Sequence, residues 1–345
     1  MRGTWISAFC LSVVTGLAQT GTPNRSMTLD VVVTDKAGKP VSGLQQQDFT
    51  LIDNKQPLKI SSFQAVQGAP ADQPVEVILL IDEVNAGFST VASLRDQVVK
   101  FLGRDGGKLA YPVSLGFVTD TGTTVGTSPT KDGNALIADL NDKETALRTI
   151  NRSQGLYGAD DRLNLSVRAL EQLAQLEVTR PGRKLVVWIS PGWPLFPGLG
   201  AELSSGDQQA VFTDIVAFSD NLRRAGITLY NVDPWGPTQD QLERTAYEQF
   251  LKGVKNRGQA ELGSLGLQVL AYQSGGRVLN ASNDVAGEIA TCVMDGTAFY
   301  VLTFDGLPGD GPNEYHELEV KIDKPKLTVR APSGYYSQPE QVGGR

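Results

Sequence analysis

Asp82 and Glu83 are the residues of this chain best placed to do chemistry. They end an apolar run, Val-Glu-Val-Ile-Leu-Leu-Ile, that begins at Val75. A run this apolar fits a strand buried on both faces of a parallel sheet. A carboxylate at the carboxyl end of such a strand lies where open α/β sheets bind ligands. Two adjacent acids there offer hard oxygens for a divalent cation or an acid–base pair for hydrolysis. Hydrolysis lacks a second recognisable group. The chain has one histidine, His316, in Glu-Tyr-His-Glu on or beside a β-strand, where it is expected to face solvent. There is no Gly-x-Ser-x-Gly elbow and no Gly-Lys-Ser/Thr phosphate loop. A histidine-rich metal centre is excluded by the same count, and no enzymatic activity is expected.

Two aromatic loops should reach the same sheet edge as Asp82. One reads Pro191-Gly192-Trp193-Pro194-Leu195-Phe196-Pro197 and the other Asp233-Pro234-Trp235-Gly236-Pro237. Trp193, Phe196 and Trp235, stiffened by prolines, would make a surface suited to protein contact, since aromatics bury area at little entropic cost. The plainer reading is that they cover the top of the sheet or pack on a β module built from the chain ends.

These residues must be positioned by the elements around them. From residue 75 the pattern alternates strands with helices, the signature of a doubly wound sheet. Strands are read at 75–81, 113–118, 184–189, 227–232 and 277–279. A hairpin partner at 123–127 makes one strand antiparallel. Helices are read after residue 90, at 134–140, 144–150, 161–176 and 211–222, about 238–251, at 261–273 and at 286–293. Residues 27–67 and 298–337 alternate as short strands between Asp, Asn, Gly and Pro turns, and should pair with each other into a small antiparallel β module. The expected fold is therefore α/β: a doubly wound, mostly parallel six-stranded Rossmann-like sheet over 75–293 with one antiparallel strand, plus that module. Residues 19–26 and 338–345 are expected to be disordered.

The bulk numbers are those of an ordinary globular protein: 345 residues, 40% hydrophobic, 20% charged, net charge −7. An acidic balance without a basic run argues against nucleic-acid binding. Arg2, an apolar stretch from Trp5 to Val14, and Gly16-Leu17-Ala18 read as a signal peptide over 1–18. The stretch is too short for a mature transmembrane span, and export to a periplasm or the extracellular space is expected. With Cys10 removed, Cys292 has no disulfide partner and should pack as a small hydrophobe.

Three stretches carry a family resemblance. The first is Val31-Val32-Val33-Thr34-Asp35-Lys36-Ala37-Gly38-Lys39-Pro40-Val41-Ser42-Gly43-Leu44, with Asp48-Phe49 and Ile60-Ser61-Ser62-Phe63. The second is Leu79-Leu80-Ile81-Asp82. The third runs from Leu270-Ala271 through Ser274-Gly275-Gly276-Arg277 to Phe299-Tyr300-Val301-Leu302, Lys321, Leu327-Thr328-Val329-Arg330 and Gly334-Tyr335-Tyr336. Together they resemble the bacterial VWFA-related (von Willebrand factor A-like) family first defined in acidobacteria. The resemblance implies an exported, non-enzymatic binding module. It also implies a metal-ion-dependent adhesion site with Asp-x-Ser-x-Ser in the first loop, a Thr in a second and an Asp in a third.

Here the first loop is Asp82-Glu83-Val84-Asn85-Ala86, the second lies near Gly158-Ala159-Asp160-Asp161, and the third is Ser190-Pro191-Gly192. Of the ligands implied by the resemblance, Asp82 alone is clear. The expectation is a degenerate site with no cofactor. A remodelled Mg²⁺, Mn²⁺ or Ca²⁺ site would have to draw on Glu83, Asn85, Asp160 and Asp161, though Asp160 or Asp161 also suits an ordinary helix N-cap. The function read from the sequence is an exported protein-binding or scaffold module, with a protein partner. A metal-dependent adhesion module and a hydrolase are the competing classes.

Overall fold

The structure, a computed structural model, describes residues 25–68, 70, 73–142, 156–194, 203–237 and 245–340. The segment read as a signal peptide, Cys10, the helix read at 144–150 and Phe196 lie outside the described residues.

The central layer is a seven-stranded mixed sheet of order β11-β10-β9-β5-β6-β7, with β8 also on β6. Its strands are β5 (Val75–Asp82), β6 (Lys108–Thr119), β7 (Gly122–Val125), β8 (Thr130–Asp132), β9 (Arg183–Ile189), β10 (Ile227–Val232) and β11 (Val278–Leu279). Parallel pairing joins β11, β10, β9, β5 and β6. β5 and β9 are apolar on both faces because helices cover both. On one side lie α1 (Phe88–Leu102), α2 (Gly133–Asp142) and α6 (Val285–Met294); on the other, α3 (Leu156–Glu177), α4 (Ser205–Arg224) and α5 (Leu267–Gln273). α1 places Val91, Leu94, Val98 and Phe101 inward at helical spacing. Ser204 caps α4 by accepting from the Asp207 amide.

The two chain ends supply eight further strands: β1 (Ser26–Thr34), β2 (Phe49–Asp53), β3 (Gln56–Leu58), β4 (Ile60–Gln67), β12 (Ala298–Asp305), β13 (Glu314–Ile322), β14 (Thr328–Arg330) and β15 (Gly334–Ser337). They form two antiparallel four-stranded sheets, β14-β1-β12-β4 and β15-β13-β2-β3. Leu29, Val31, Leu51, Leu302, Phe304, Leu318 and Tyr335 fill the space between them. This sandwich abuts the central layer through Val32, Val66 and Phe299.

The expected fold class needs correction in two places. The sheet is not six-stranded with one antiparallel member: β7 and β8 both run antiparallel to β6. The twelve-residue β6 outruns its parallel neighbour, so its free edge has room for β7 toward one end and β8 toward the other. β8 reads Thr-Lys-Asp and carries no apolar alternation to announce it. Nor do the chain ends make one small module; their alternating strands divide into two facing sheets with a core of their own.

Smaller differences follow. β1 already includes Ser26, and Arg25 pairs with Glu340 at 2.9 Å, so the described parts of the segments expected to be disordered are tied together. Of the stretch read as a helix over about 238–251, residues 238–244 lie outside the described residues; Thr245 is helical and Ala246–Phe250 forms a 3-10 turn. Among the described residues no helix is long and apolar enough to cross a membrane.

Candidate functional site

Ile78, Leu80 and Asp82 share the face of β5 that packs toward α3 and α4, as strand alternation requires. The hydrophobic run therefore delivers its terminal carboxylate into a buried position, and Asp82 is fully shielded from solvent. Five donors meet it. Oδ1 accepts from the amides of Val84 and Asn85, both at 2.9 Å. Oδ2 accepts from Asn85 Nδ2 at 2.8 Å, Trp188 Nε1 at 3.1 Å and Ser190 Oγ at 2.7 Å. A carboxylate offers roughly four lone-pair positions, so the protein's own N–H and O–H groups fill this one.

The neighbours explain how that came about. Trp188 pairs with Leu80 across β5 and β9, which sets its indole one step below Asp82. Ser190 directly follows β9, and its hydroxyl also accepts from the Gly192 amide at 3.1 Å. Asn85 bridges to α3, donating to Ser166 Oγ at 2.9 Å, and Ser166 in turn donates to the Arg162 carbonyl. Because a carboxylate only accepts, the Asn85 carboxamide must turn its nitrogen toward Asp82. Val84 is buried and packs in the same apolar cluster as Trp188, Trp193 and Leu163.

The residues present do not fit a divalent cation. Both Asp82 oxygens are engaged, and Val84 and Ala86 have no side-chain oxygen. Among the described residues Asn85 Oδ1 has no protein partner, and one neutral oxygen is far short of the oxygen set that such ions take. Glu83 is half-buried beside β6, where desolvation lifts its carboxyl above the usual range, with the Arg95 guanidinium opposing and Asp82 and Asp120 adding to the rise. Asp160 and Asp161 are exposed and lie inside α3, which starts at Leu156, so neither is its N-cap. Asp160 accepts from Asn164 one turn on. Among the described residues no three His, Cys, Asp or Glu side chains gather as a metal site would need.

The aromatic loops separate. Trp193 is only 3% exposed and stands edge-on to Trp188, ring centres 5.1 Å apart. It roofs the Asp82 hub and offers no surface to a partner, which corrects its expected role. Trp235 is 50% exposed. Its backbone amide donates to Asp233 Oδ1 at 2.9 Å and its indole N–H to Thr90 Oγ1 at 3.2 Å. Gly236, at φ +61°, lets this turn press against Ser282 and Asn283, where a Cβ would collide.

Beneath the same edge lies Glu288 of α6, buried, with Oε2 lacking a protein partner among the described residues. Desolvation pushes its carboxyl up to about 7, against the Ser282 and Ala281 amides and with help from Asp233 and Asp284. Between its unfolded value of 4.5 and 7 the folded chain holds a proton that the unfolded chain has lost, so stability falls as pH rises through that window. Glu288→Gln should thus stabilise the chain at pH 8 by on the order of 2 kcal/mol and change little at pH 4.5. Urea unfolding at the two pH values checks this; an equal effect at both would remove the linkage.

His316 is buried, not solvent-facing. Its Nδ1 lies 2.9 Å from Asp53 Oδ1, its ring stacks on Tyr335, and the Tyr335 hydroxyl donates to Asp53 Oδ2 at 2.6 Å. The signal was available: His316 shares its parity on β13 with Leu318 and Val320. Cys292 is buried among apolar residues, and burial pushes its thiol well up. Trp188, Ser190 as a donor, and Ser166 are the members of the hub that sequence reasoning missed.

No family model matches this chain, and no curated protein matches it. Among solved structures, a point mutant of the PilB minor pilin from Streptococcus sanguinis is 12% identical over 77% of this chain and 78% of its own, with a TM-score of 0.35. The pilus adhesin SpaC from Lactobacillus rhamnosus GG, in its open conformation, is 11% identical over 86% of this chain and 49% of its own, with a TM-score of 0.37. The N-terminal domain of TFIIH p34 is 12% identical over 64% and 97%, with a TM-score of 0.31. Likenesses this distant carry no argument about what the chain does.

Proposed function

We propose that this chain is an exported, non-enzymatic binding or scaffold protein of the VWFA-related kind, in which the residues of the ion site have become a structural hub. The observation that carries this reading is the Asp82 carboxylate, filled by five protein donors. A group so engaged has no oxygen to share with an ion, and none with which to attack or deprotonate a substrate. That weighs against both the adhesion-module and the hydrolase readings. Export rests on the pattern of residues 1–18, and the partner contact on the exposed indole of Trp235.

Calorimetric titration of the full chain with Mg²⁺, Mn²⁺ and Ca²⁺ tests the proposal. The expected result is no saturable heat up to millimolar ion. Saturable binding that Asp82→Asn abolishes would establish the metal-dependent module instead.

A further inference from the structure

The cleft beside Trp235 has an unusual lining. It encloses about 250 Å³ between the β10 turn, the start of α1 and the start of α6. Thr90, Ser93, Leu94 and Gln97 of α1 all face it. They occupy one helical stripe, at spacings of three, four and seven residues. A stripe meant only for packing against α6 would be apolar throughout; here three of the four positions carry a hydroxyl or a carboxamide. Asn283 completes the rim opposite, and no charged side chain lines the cleft among the described residues.

Beyond Thr90, which accepts from the Trp235 indole, the polar groups of the cleft are largely uncommitted. The Ser93 hydroxyl and the Asn283 carboxamide have no hydrogen-bond partner among the described residues. Gln97 Oε1 accepts only a long bond, 3.5 Å, from the Ala286 amide, which leaves its NH₂ to donate. Trp235, by contrast, is fixed from two sides, at its backbone by Asp233 and at its ring by Thr90. The result is a rigid, half-exposed aromatic plate beside neutral groups that can both give and take hydrogen bonds.

From this juxtaposition we infer that the Trp235 cleft binds a neutral sugar residue of a glycan, whose C–H face lies on the indole while its hydroxyls engage Ser93, Gln97 and Asn283. A sugar ring needs both features at once: an apolar face to cover, and hydroxyls that exchange hydrogen bonds with amides and hydroxyls without a net charge. An acidic or basic ligand would find no counter-charge here. A proline-rich peptide would gain from the indole but leave the amides and hydroxyls unused, and such peptides are taken by grooves lined with aromatics. The inference rests on the reading of Trp235 as the partner-contacting residue, and names the chemistry of that contact. A free polysaccharide and a glycosylated partner present the same chemistry, and the arms of the test separate them.

The test uses the full chain and an array of neutral hexasaccharides (cello-, malto-, manno-, xylo- and chito-hexaose), with polygalacturonate and decaproline as competitors for the assignment. Calorimetry and indole fluorescence would follow each positive. The expected result is saturable binding of at least one neutral hexasaccharide, weakened about tenfold or more in Trp235→Ala and in part in Asn283→Ala, with unchanged thermal unfolding. Partial retention in Trp235→Phe would support stacking. Failure of every neutral hexasaccharide, binding that Trp235→Ala leaves intact, or preference for polygalacturonate or decaproline would overturn the inference. Capture of a host protein through Trp235 that survives periodate oxidation of its sugars would also overturn it, yet leave the protein-binding proposal standing. Sugar binding without any protein capture would do the reverse.

Discussion

Asp82→Ala should lower the unfolding free energy of this chain by about 4 kcal/mol, and should do so equally in EDTA and in excess Mg²⁺. The substitution strands five donors at once, among them the indole N–H of Trp188, the Ser190 hydroxyl and the Val84 amide, all on buried residues. Each buried donor left without a partner costs on the order of 1–3 kcal/mol. The five share one acceptor, so their costs do not add in full. Against an overall stability of roughly 5–15 kcal/mol such a loss is large. Asp82→Asn keeps one oxygen but must turn its NH₂ toward one of the two donor groups, and should cost about half as much. Ser190→Ala removes one donor to Asp82 and also the acceptor of the Gly192 amide, and should cost about 1–2 kcal/mol. Urea unfolding with and without Mg²⁺ measures all three. A site that held an ion would give a different pattern: the Asp82 variants would lose stability chiefly in Mg²⁺, and a loss under about 1 kcal/mol in EDTA would end the structural-hub account.

How much of this was legible in the sequence depended on how local the deciding contact is. The parallel strands announced themselves because burial on both faces leaves an uninterrupted apolar run, as in Val75–Asp82. Asp82 itself was legible as the end of that run. What its carboxylate touches was not: Trp188 and Ser190 come from another strand and the loop after it, more than a hundred residues on. The two proline-stiffened tryptophans look alike in sequence and end in opposite environments. Trp193 is drawn onto Trp188, already fixed by the register of β9 on β5, whereas Trp235 sits on a turn whose way inward is closed by Asn283 and the helix start at Thr90. β8 escaped notice because three polar residues carry no period. The burial of His316 was within reach, since β13 alternates cleanly from His316 to Ile322, but a lone polar residue between Tyr315 and Glu317 invited the solvent-facing reading.

Asp295→Ala is expected to cost about 3–5 kcal/mol, the usual result of removing one partner from a buried ionic network. Asp295 follows α6 and is fully buried where the sandwich meets the central sheet. Its Oδ2 accepts from Tyr230 of β10 at 2.9 Å; its Oδ1 accepts from Arg330 of β14 at 2.7 Å and from Arg277, which precedes β11, at 3.2 Å. Its backbone carbonyl takes a further bond from Arg183 of β9 at 3.0 Å. Arg183 reaches on to the sandwich, pairing with Asp30 of β1 at 3.3 Å while its guanidinium lies over the Phe299 ring of β12. The acid thus joins both layers through groups that cannot be left bare. Burial and the Asp295 charge push the Tyr230 hydroxyl well above its ordinary range, so it remains protonated and donates. Asp295→Asn retains an acceptor for Tyr230 but loses the charge that two guanidiniums share, and should fall between the wild type and Asp295→Ala. Arg330→Met removes the other side of the contact. If the pair is what couples the layers, the Asp295→Ala/Arg330→Met double variant should lose less than the sum of the single losses by more than about 1 kcal/mol. Hydrogen exchange should then show β14 and β1 opening before the central strands in each single variant. Additive losses, or exchange that rises equally in both layers, would mean that the network only fills space between them.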